Sequence, residues 1–253
     1  MFNNYEFGNF MRKSENLIAP LISIEDPSVS ELLSHLNPDF LVVDMEHSAI
    51  DISTLQKIEM ASKPLKIIAR IRGAEKNEIK KVLDTGVAGI IVPGIESVKD
   101  VKNVISYSKL APEGVRGAGP GRASNYGHNF AEYVKTANEA LIIIQIETKK
   151  AYENINAILS VPDLDGFFIG PVDLSIALPL KFSWDNEKFT ATVDHILEAA
   201  KDKKLIKGIY SPLSKLDFNS IIKRHFNFLI LGTDREAIAI KYIEVINKIK
   251  NTF

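Results

Sequence analysis

Apolar residues gather in eight short runs along the chain: Leu17–Ile24, Phe40–Met45, Lys66–Ile71, Gly89–Val92, Leu141–Ile146, Gly166–Gly170, Ile206–Tyr210 and Phe228–Gly232. Most are continuous rather than alternating, which is the pattern of strands in a parallel sheet covered on both faces. Between and after them lie stretches whose apolar positions recur at helical spacing: Ser28–Leu36, Ile52–Ser62, Lys76–Thr85, Val98–Leu110, Lys149–Ser160, Glu187–Lys203, Lys215–His225 and Arg235–Lys250. Asp26, Ser97 and Asp234 stand where N-caps would stand, Pro27 suits a first helical position, and Gly86 suits the end of a helix. Eight strands, each followed by a helix, predict a (β/α)8 barrel occupying residues 1–253 as one domain. A doubly wound open sheet has no need of eight repeats.

One connection breaks the rhythm. About thirty residues separate the helix after the fourth strand from the strand at Leu141, and the segment Ala111–Gly127 (APEGVRGAGPGRASNYG) is Gly-rich with two arginines. A loop of that length inside a compact domain is usually functional or disordered.

Composition narrows the chemistry. Of the 253 residues 45% are apolar, and 31 basic against 32 acidic side chains give a formal net charge of -1. That balance offers no electrostatic reason to expect nucleic acid or a membrane surface. The absence of cysteine excludes disulfides, thiol nucleophiles and thiolate metal sites, so any metal must be held by oxygen or imidazole. The N-terminal MFNNYEFGNF lacks the basic flank and apolar run of a signal peptide, and no apolar run approaches the ~20 residues of a membrane helix. The expectation is a cytoplasmic protein that handles small molecules.

Barrel enzymes assemble their sites from the C-terminal ends of strands. Here those ends carry Asp44 to His47 (DMEH), Arg70, Gln145 and Glu147, Asp173 in GPVD, Tyr210, and Gly232-Thr233-Asp234. Glu147 and Asp173, from neighbouring strands, suit a hard divalent ion such as Mg²⁺, Mn²⁺ or Co²⁺ completed by water. An arginine fork at Arg70 would match a carboxylate or a developing enolate. His47 would move a proton, with Asp44 or Glu46 fixing its tautomer. Each residue also has a plainer reading. Asp173 would serve as a helix cap, Glu147 as half of a surface pair, His47 as a structural histidine and Gly170-Pro171 as a turn. One of Arg70 and Arg72 would be solvated, and Glu46 reads more readily as a solvated neighbour than as a ligand. Lysine pairs such as Lys80-Lys81 read as solvated faces. Joint placement carries the signal, not any one member. No lysine ends a strand in a buried run, since Lys66 begins its strand and Lys207 lies inside one, which argues against Schiff-base chemistry.

The segments DMEH at Asp44, ARIRG at Ala69, LDTGVAGIIVPGIES at Leu83, APEGVRG at Ala111, QIET at Gln145 and DGFFIGPVDLS at Asp165 resemble the HpcH/HpaI aldolase family from about Pro20 to about Asp234. These are metal-dependent (class II) aldolases for 2-keto-3-deoxy and 4-hydroxy-2-oxo acids. The last two segments, which set Asp173 26 positions after Glu147, are the most specific. The resemblance implies Glu147 and Asp173 as metal ligands, Arg70 as the residue that binds the keto acid and steadies its enolate, and His47 as acid/base paired with Asp44. It implies that Asp84 reaches a neighbouring subunit's site, and that Gln145 holds substrate or the metal's shell. Gly170, Val172 and Tyr210 complete the expected substrate-binding set. It further implies a homo-hexamer with the last helix exchanged between partners. Three departures stand out: a short GPGRAS loop, HSAID where many relatives have HGP or HAP, and Tyr210 where relatives often carry a smaller aliphatic residue facing the aldehyde. They touch the acceptor half of the site and leave the enolate half intact. The leading expectation is an aldolase acting on a keto acid and an aldehyde. A citrate-synthase-like condensation of oxaloacetate with an acyl-CoA enolate is the alternative, as in siderophore-pathway relatives. A non-catalytic keto-acid-binding barrel is the alternative of another class, although a pure binder needs no acid/base group.

Overall fold

The computed structural model describes residues 3–252. Eight parallel strands close a barrel in sequence order: β1 (Leu17–Ile22), β2 (Leu41–Asp44), β3 (Ile67–Arg70), β4 (Gly89–Val92), β5 (Leu141–Ile146), β6 (Gly166–Ile169), β7 (Ile206–Ser211) and β8 (Phe228–Thr233). The helices are α1 (Asn4–Lys13), α2 (Pro27–Ser34), α3 (Ile52–Ala61), α4 (Lys76–Asp84), α5 (Val98–Ser108), α6 (Phe130–Thr136), α7 (Lys149–Glu153), α8 (Ile155–Ile158), α9 (Pro171–Ala177), α10 (Glu187–Ala199), α11 (Phe218–Ile222) and α12 (Asp234–Lys250). The expected (β/α)8 architecture is the observed one.

The continuous apolar runs are explained by two separate cores. Alternate strand residues Leu17, Ala19, Leu21, Val42, Ile68, Ile91, Leu141, Ile143, Phe168, Ile206, Phe228 and Ile230 fill the barrel interior. Their neighbours Leu41, Val43, Ile67, Ala69, Ile90, Ile142, Ile144, Phe167, Ile169, Ile209 and Leu229 face the ring of helices. A strand with both faces buried has no polar face to alternate with. Phe228 dominates the interior: it stacks on Phe168 at 6.1 Å and meets Phe40 edge-on at 5.7 Å. It also fills the space over Gly208, where a methyl group would overlap its ring.

The sequence reading missed α1. This helix closes the N-terminal end of the barrel by sending Phe7 and Met11, one turn apart, into the interior core. Full burial of each contributes roughly 1.5–3 kcal/mol. Its signal was hard to see because two inward residues among polar neighbours make no apolar stripe. The long connection after α5 is ordered rather than structureless, with a 3-10 turn at Arg122–Gly127 followed by α6.

Caps at Asp26 and Ser97 form as expected, each side chain accepting a backbone N–H of the first turn. Asp234 does not cap. Thr233 takes that role by accepting from the Glu236 N–H. Asp234 instead ties the barrel seam: its carboxylate accepts from the Ser23 and Ile24 N–H groups and from the Ser23 hydroxyl. These bonds draw Ser23 and Ile24 out of the ladder, so β1 stops at Ile22, short of the expected Ile24.

Candidate active site

Period-two alternation carries the site. The inward series of β2 ends Val42, Asp44; that of β3 ends Ile68, Arg70; that of β5 runs Ile143, Gln145 and on to Glu147; that of β6 runs Phe168 to Gly170; that of β7 ends Tyr210. The same rule that buries the interior core therefore lifts these polar residues to its C-terminal mouth. β2 and β3 pair in register with Asp44 opposite Arg70. That register makes the central contact. Arg70 Nε donates to Asp44 Oδ1 at 3.0 Å and Nη2 to Oδ2 at 2.8 Å, a two-pronged pairing with side chains only 12% and 4% exposed. Burial disfavours the charged guanidinium, but the Asp44 hydrogen bonds and charge, with Glu46 and Glu147, outweigh it and hold the Arg70 pKa up. Nη1 has no protein partner among the described residues and stays free for a ligand oxygen. Arg72 is the solvated one of the two arginines, half exposed and 3.4 Å from Glu78.

Glu46 is not the solvated neighbour that the sequence suggested. Its side chain is 16% exposed, and its Oε2 lies 3.4 Å from Arg70 Nε and 3.4 Å from Gln145 Nε2. Burial pushes its pKa up and Glu147 adds to this, while Arg70 and His47 oppose. Of the two acids expected beside His47, the ring faces Glu46. Asp44 accepts from the His47 backbone N–H at 3.2 Å, whereas the imidazole Nε2 faces Glu46 Oε2 at 3.8 Å from a side chain that is 61% exposed.

Across the mouth, Glu147 accepts from the Gly94 N–H at 2.8 Å and from the Gln145 amide, while the buried Gln145 Oε1 has no partner. Gly170 leads into α9, and a methyl there would touch Glu147 Cβ at 3.4 Å. Asp173 and Val172 lie in the first turn of α9 with exposed side chains, Asp173 without a hydrogen bond or ion pair. Tyr210 tops β7 against the interior core. Burial pushes its pKa up to about 12, with Glu236 adding to the shift and Arg70 opposing it. Its hydroxyl has no protein partner among the described residues.

Three carboxylates, Asp44, Glu46 and Glu147, thus crowd one guanidinium, and Asp173 stands free on the same rim. The donors are all oxygens, and a cation would offset the excess negative charge. Among the described residues no three His, Asp or Glu side chains surround one point. Oxygen donors of this kind suit a hard divalent ion whose remaining positions are filled by water or substrate.

Two expected parts lie elsewhere. Asp84 ends α4 at the N-terminal end of the barrel, so within its own chain it does not reach the mouth. Burial pushes its pKa up against Arg116 and Lys80, and its Oδ1 is buried without a partner. The arginines of the Gly-rich loop hold that same end together: Arg116 bonds the Tyr133 hydroxyl and Ala137 carbonyl, and Arg122 the Thr85 carbonyl and Glu59. A cavity of about 730 Å³ opens beside them, with Lys66 in its wall bonded to Asn4. Lys66 is thus at the end remote from the mouth.

A family model described as HpcH/HpaI aldolase/citrate lyase matches residues 22–239. The chain is 32% identical over 208 residues to a hydroxypyruvate/pyruvate aldolase of Roseobacter denitrificans, covering 80% of this chain and 81% of the relative. It is 27% identical over 215 residues to a 5-keto-4-deoxy-D-glucarate aldolase of Escherichia coli O157:H7, covering 84% of each. Among solved structures, that of the citrate synthase SbnG matches with a TM-score of 0.84 at 26% identity, over 98% of this chain and 97% of that one.

Proposed function

The chain belongs to the HpcH/HpaI aldolase/citrate lyase family, and on that premise we propose a divalent-metal-dependent aldolase that forms and cleaves 4-hydroxy-2-keto acids, with pyruvate and an aldehyde as cleavage products. The observation that carries this reading is Arg70: two of its nitrogens are committed to Asp44, and Nη1 has no protein partner among the described residues. A guanidinium so fixed meets an enolate oxygen without reorganising, and electrostatic help of that kind is usually the largest catalytic contribution. Glu147 and Asp173 would hold a divalent ion, whose positive charge would serve the keto oxygen. Cleavage breaks the bond between C3 and C4. The C4 hydroxyl gives its proton to His47 and its oxygen becomes that of the aldehyde, while the electron pair of the broken bond passes to the keto-acid fragment beside Arg70. His47 returns a proton to C3 and, in the reverse direction, takes it. Gln145 holds the keto acid, Gly170 and Val172 line its other side, and Tyr210 faces the acceptor.

Assembly belongs to the same proposal. From Ala237 to Lys250, α12 is exposed and carries Ile238, Ile240, Tyr242, Ile243, Val245, Ile246 and Ile249. Apolar side chains over so much of an exposed helix call for a covering partner. A homo-hexamer that exchanges this helix and brings Asp84 to a neighbour's mouth would supply it.

The likeness to a citrate synthase favours one second reading, condensation of oxaloacetate with an acyl-CoA enolate. One experiment tests both. The protein is incubated with pyruvate and a panel of aldehydes, and separately with oxaloacetate and acetyl-CoA, each with and without EDTA. Aldol product that disappears on chelation and returns with Mg²⁺, Mn²⁺ or Co²⁺ is the expected result. Citrate alone would turn the assignment to the second reading, and full activity in metal-free protein would remove the metal from it.

A further inference from the structure

Three nitrogens gather around a single oxygen in the mouth. Glu46 Oε2 lies 3.4 Å from Arg70 Nε, 3.4 Å from Gln145 Nε2 and 3.8 Å from His47 Nε2. Asp44, which would ordinarily be sought as the histidine's partner, accepts from the His47 backbone N–H but makes no hydrogen bond or ion pair with its ring among the described residues. Its Oδ1 accepts from Arg70 Nε and from the Glu46 and His47 N–H groups, and its Oδ2 from Arg70 Nη2. Among the described residues the imidazole's nearest acid is therefore Glu46. A separation of 3.8 Å is too long for a hydrogen bond but short enough for an ion pair once the ring takes up a proton. The two side chains differ sharply in freedom: Glu46 is 16% exposed and held from two further directions, His47 is 61% exposed and held by nothing else. A fixed carboxylate beside a mobile ring selects among the ring's rotamers.

We propose that Glu46 is a positioning residue for the reaction, its carboxylate rather than that of Asp44 holding the His47 imidazole beside Arg70. The inference rests on the aldolase reading, in which His47 moves the C3 proton. The placement has a chemical logic. The group that receives the proton and the cation that faces the enolate oxygen are tied to one atom, so the spacing between them is set whether or not substrate is present. Gln145 joins the same atom from the far side of the mouth, which keeps Glu46 from turning with the histidine into solvent.

The test is a double-mutant cycle read by exchange of the pyruvate methyl protons for deuterium, with kcat and KM measured separately on metal-loaded, assembled protein. Glu46→Gln should lower the exchange kcat by about tenfold or more, a fraction of the ~10²–10⁴ that a positioned acid/base supplies, and move KM for pyruvate far less. The double variant Glu46→Gln/His47→Ala should be no slower than His47→Ala, because groups that act as a unit are lost together. Multiplying losses in the double variant, or a raised KM at unchanged kcat, would show Glu46 acting on substrate or on Arg70 and would overturn the proposal. So would a His47→Ala protein that exchanges normally. If Glu46→Gln fails to fold, Glu46→Asp runs the same cycle with the carboxylate withdrawn by one methylene. A wild-type protein that exchanges no keto-acid proton with metal present would instead bring down the aldolase reading, and this inference with it.

Discussion

Arg70→Met keeps most of the side chain's length and removes its charge. The Arg70 and Asp44 side chains are 12% and 4% exposed, which places the pair in the buried class. Removing one partner of a buried pair typically costs ~3–5 kcal/mol. Asp44 would retain the Glu46 and His47 N–H donors at 3.0 and 3.2 Å, so it is not left bare. That points to the lower end, about 3 kcal/mol. The effect on rate has a different origin. With the guanidinium gone, Asp44, Glu46 and Glu147 face an enolate oxygen with no protein cation among them, and loss of such a stabilising group costs ~10²–10³ in rate. Arg70→Lys separates the two effects: it retains a charge but offers one point donor to two carboxylate oxygens, and it should fall between Met and wild type in both measurements. The assays are the urea midpoint by circular dichroism and deuterium exchange at the pyruvate methyl by proton NMR. Exchange by Arg70→Met within about threefold of wild type, against the ~10²–10³ expected, would refute the assignment of Arg70 to the enolate.

Tyr210→Leu should change the preference among aldehydes more than it changes methyl exchange, since the phenol makes no hydrogen bond to Arg70, Asp44 or Glu147 among the described residues; equal loss of exchange and addition would move Tyr210 into the enolate half. Gly208→Ala should lower stability by about 1–3 kcal/mol, because the added methyl overlaps the Phe228 ring; an unchanged urea midpoint would contradict the packing described. Truncation before Ile238 should break the assembly and lower activity together, read by light scattering and the aldol assay. A fully active monomer across micromolar dilution of the intact chain would refute both the shared site and the exchanged helix.

The strands were legible in the sequence because burial on both faces writes itself as unbroken apolar runs. Asp44 and Arg70 were legible because each ends an inward series. Glu46 was not: it lies past the end of β2, in a loop whose path the sequence does not fix, and its burial comes from Arg70 and Gln145, distant in sequence. Asp173 resisted for the opposite reason, since a carboxylate in the first turn of a helix looks the same whether it caps or awaits an ion. The apolar positions of α12 suggested one face to be buried at Ile238, Tyr242, Val245 and Ile249. In the structure Ile240 and Ile243 extend the exposed apolar surface around the helix, and nothing among the described residues covers it. A helix's own periodicity does not record a surface completed by another molecule.

The bonds from Asp234 to Ser23 join residues 211 positions apart, and β8 lies beside β1 along its whole length. During synthesis, then, the first strand leaves the ribosome long before its neighbour exists. Until residues 228–233 emerge, the edge of β1 is an unpaired row of backbone groups, a template for pairing with other chains. Closure also waits on the loop entropy of nearly the entire polypeptide, which predicts slow, all-or-nothing completion of the cylinder rather than growth strand by strand. An organism making this protein would gain most from whatever shields that single early edge.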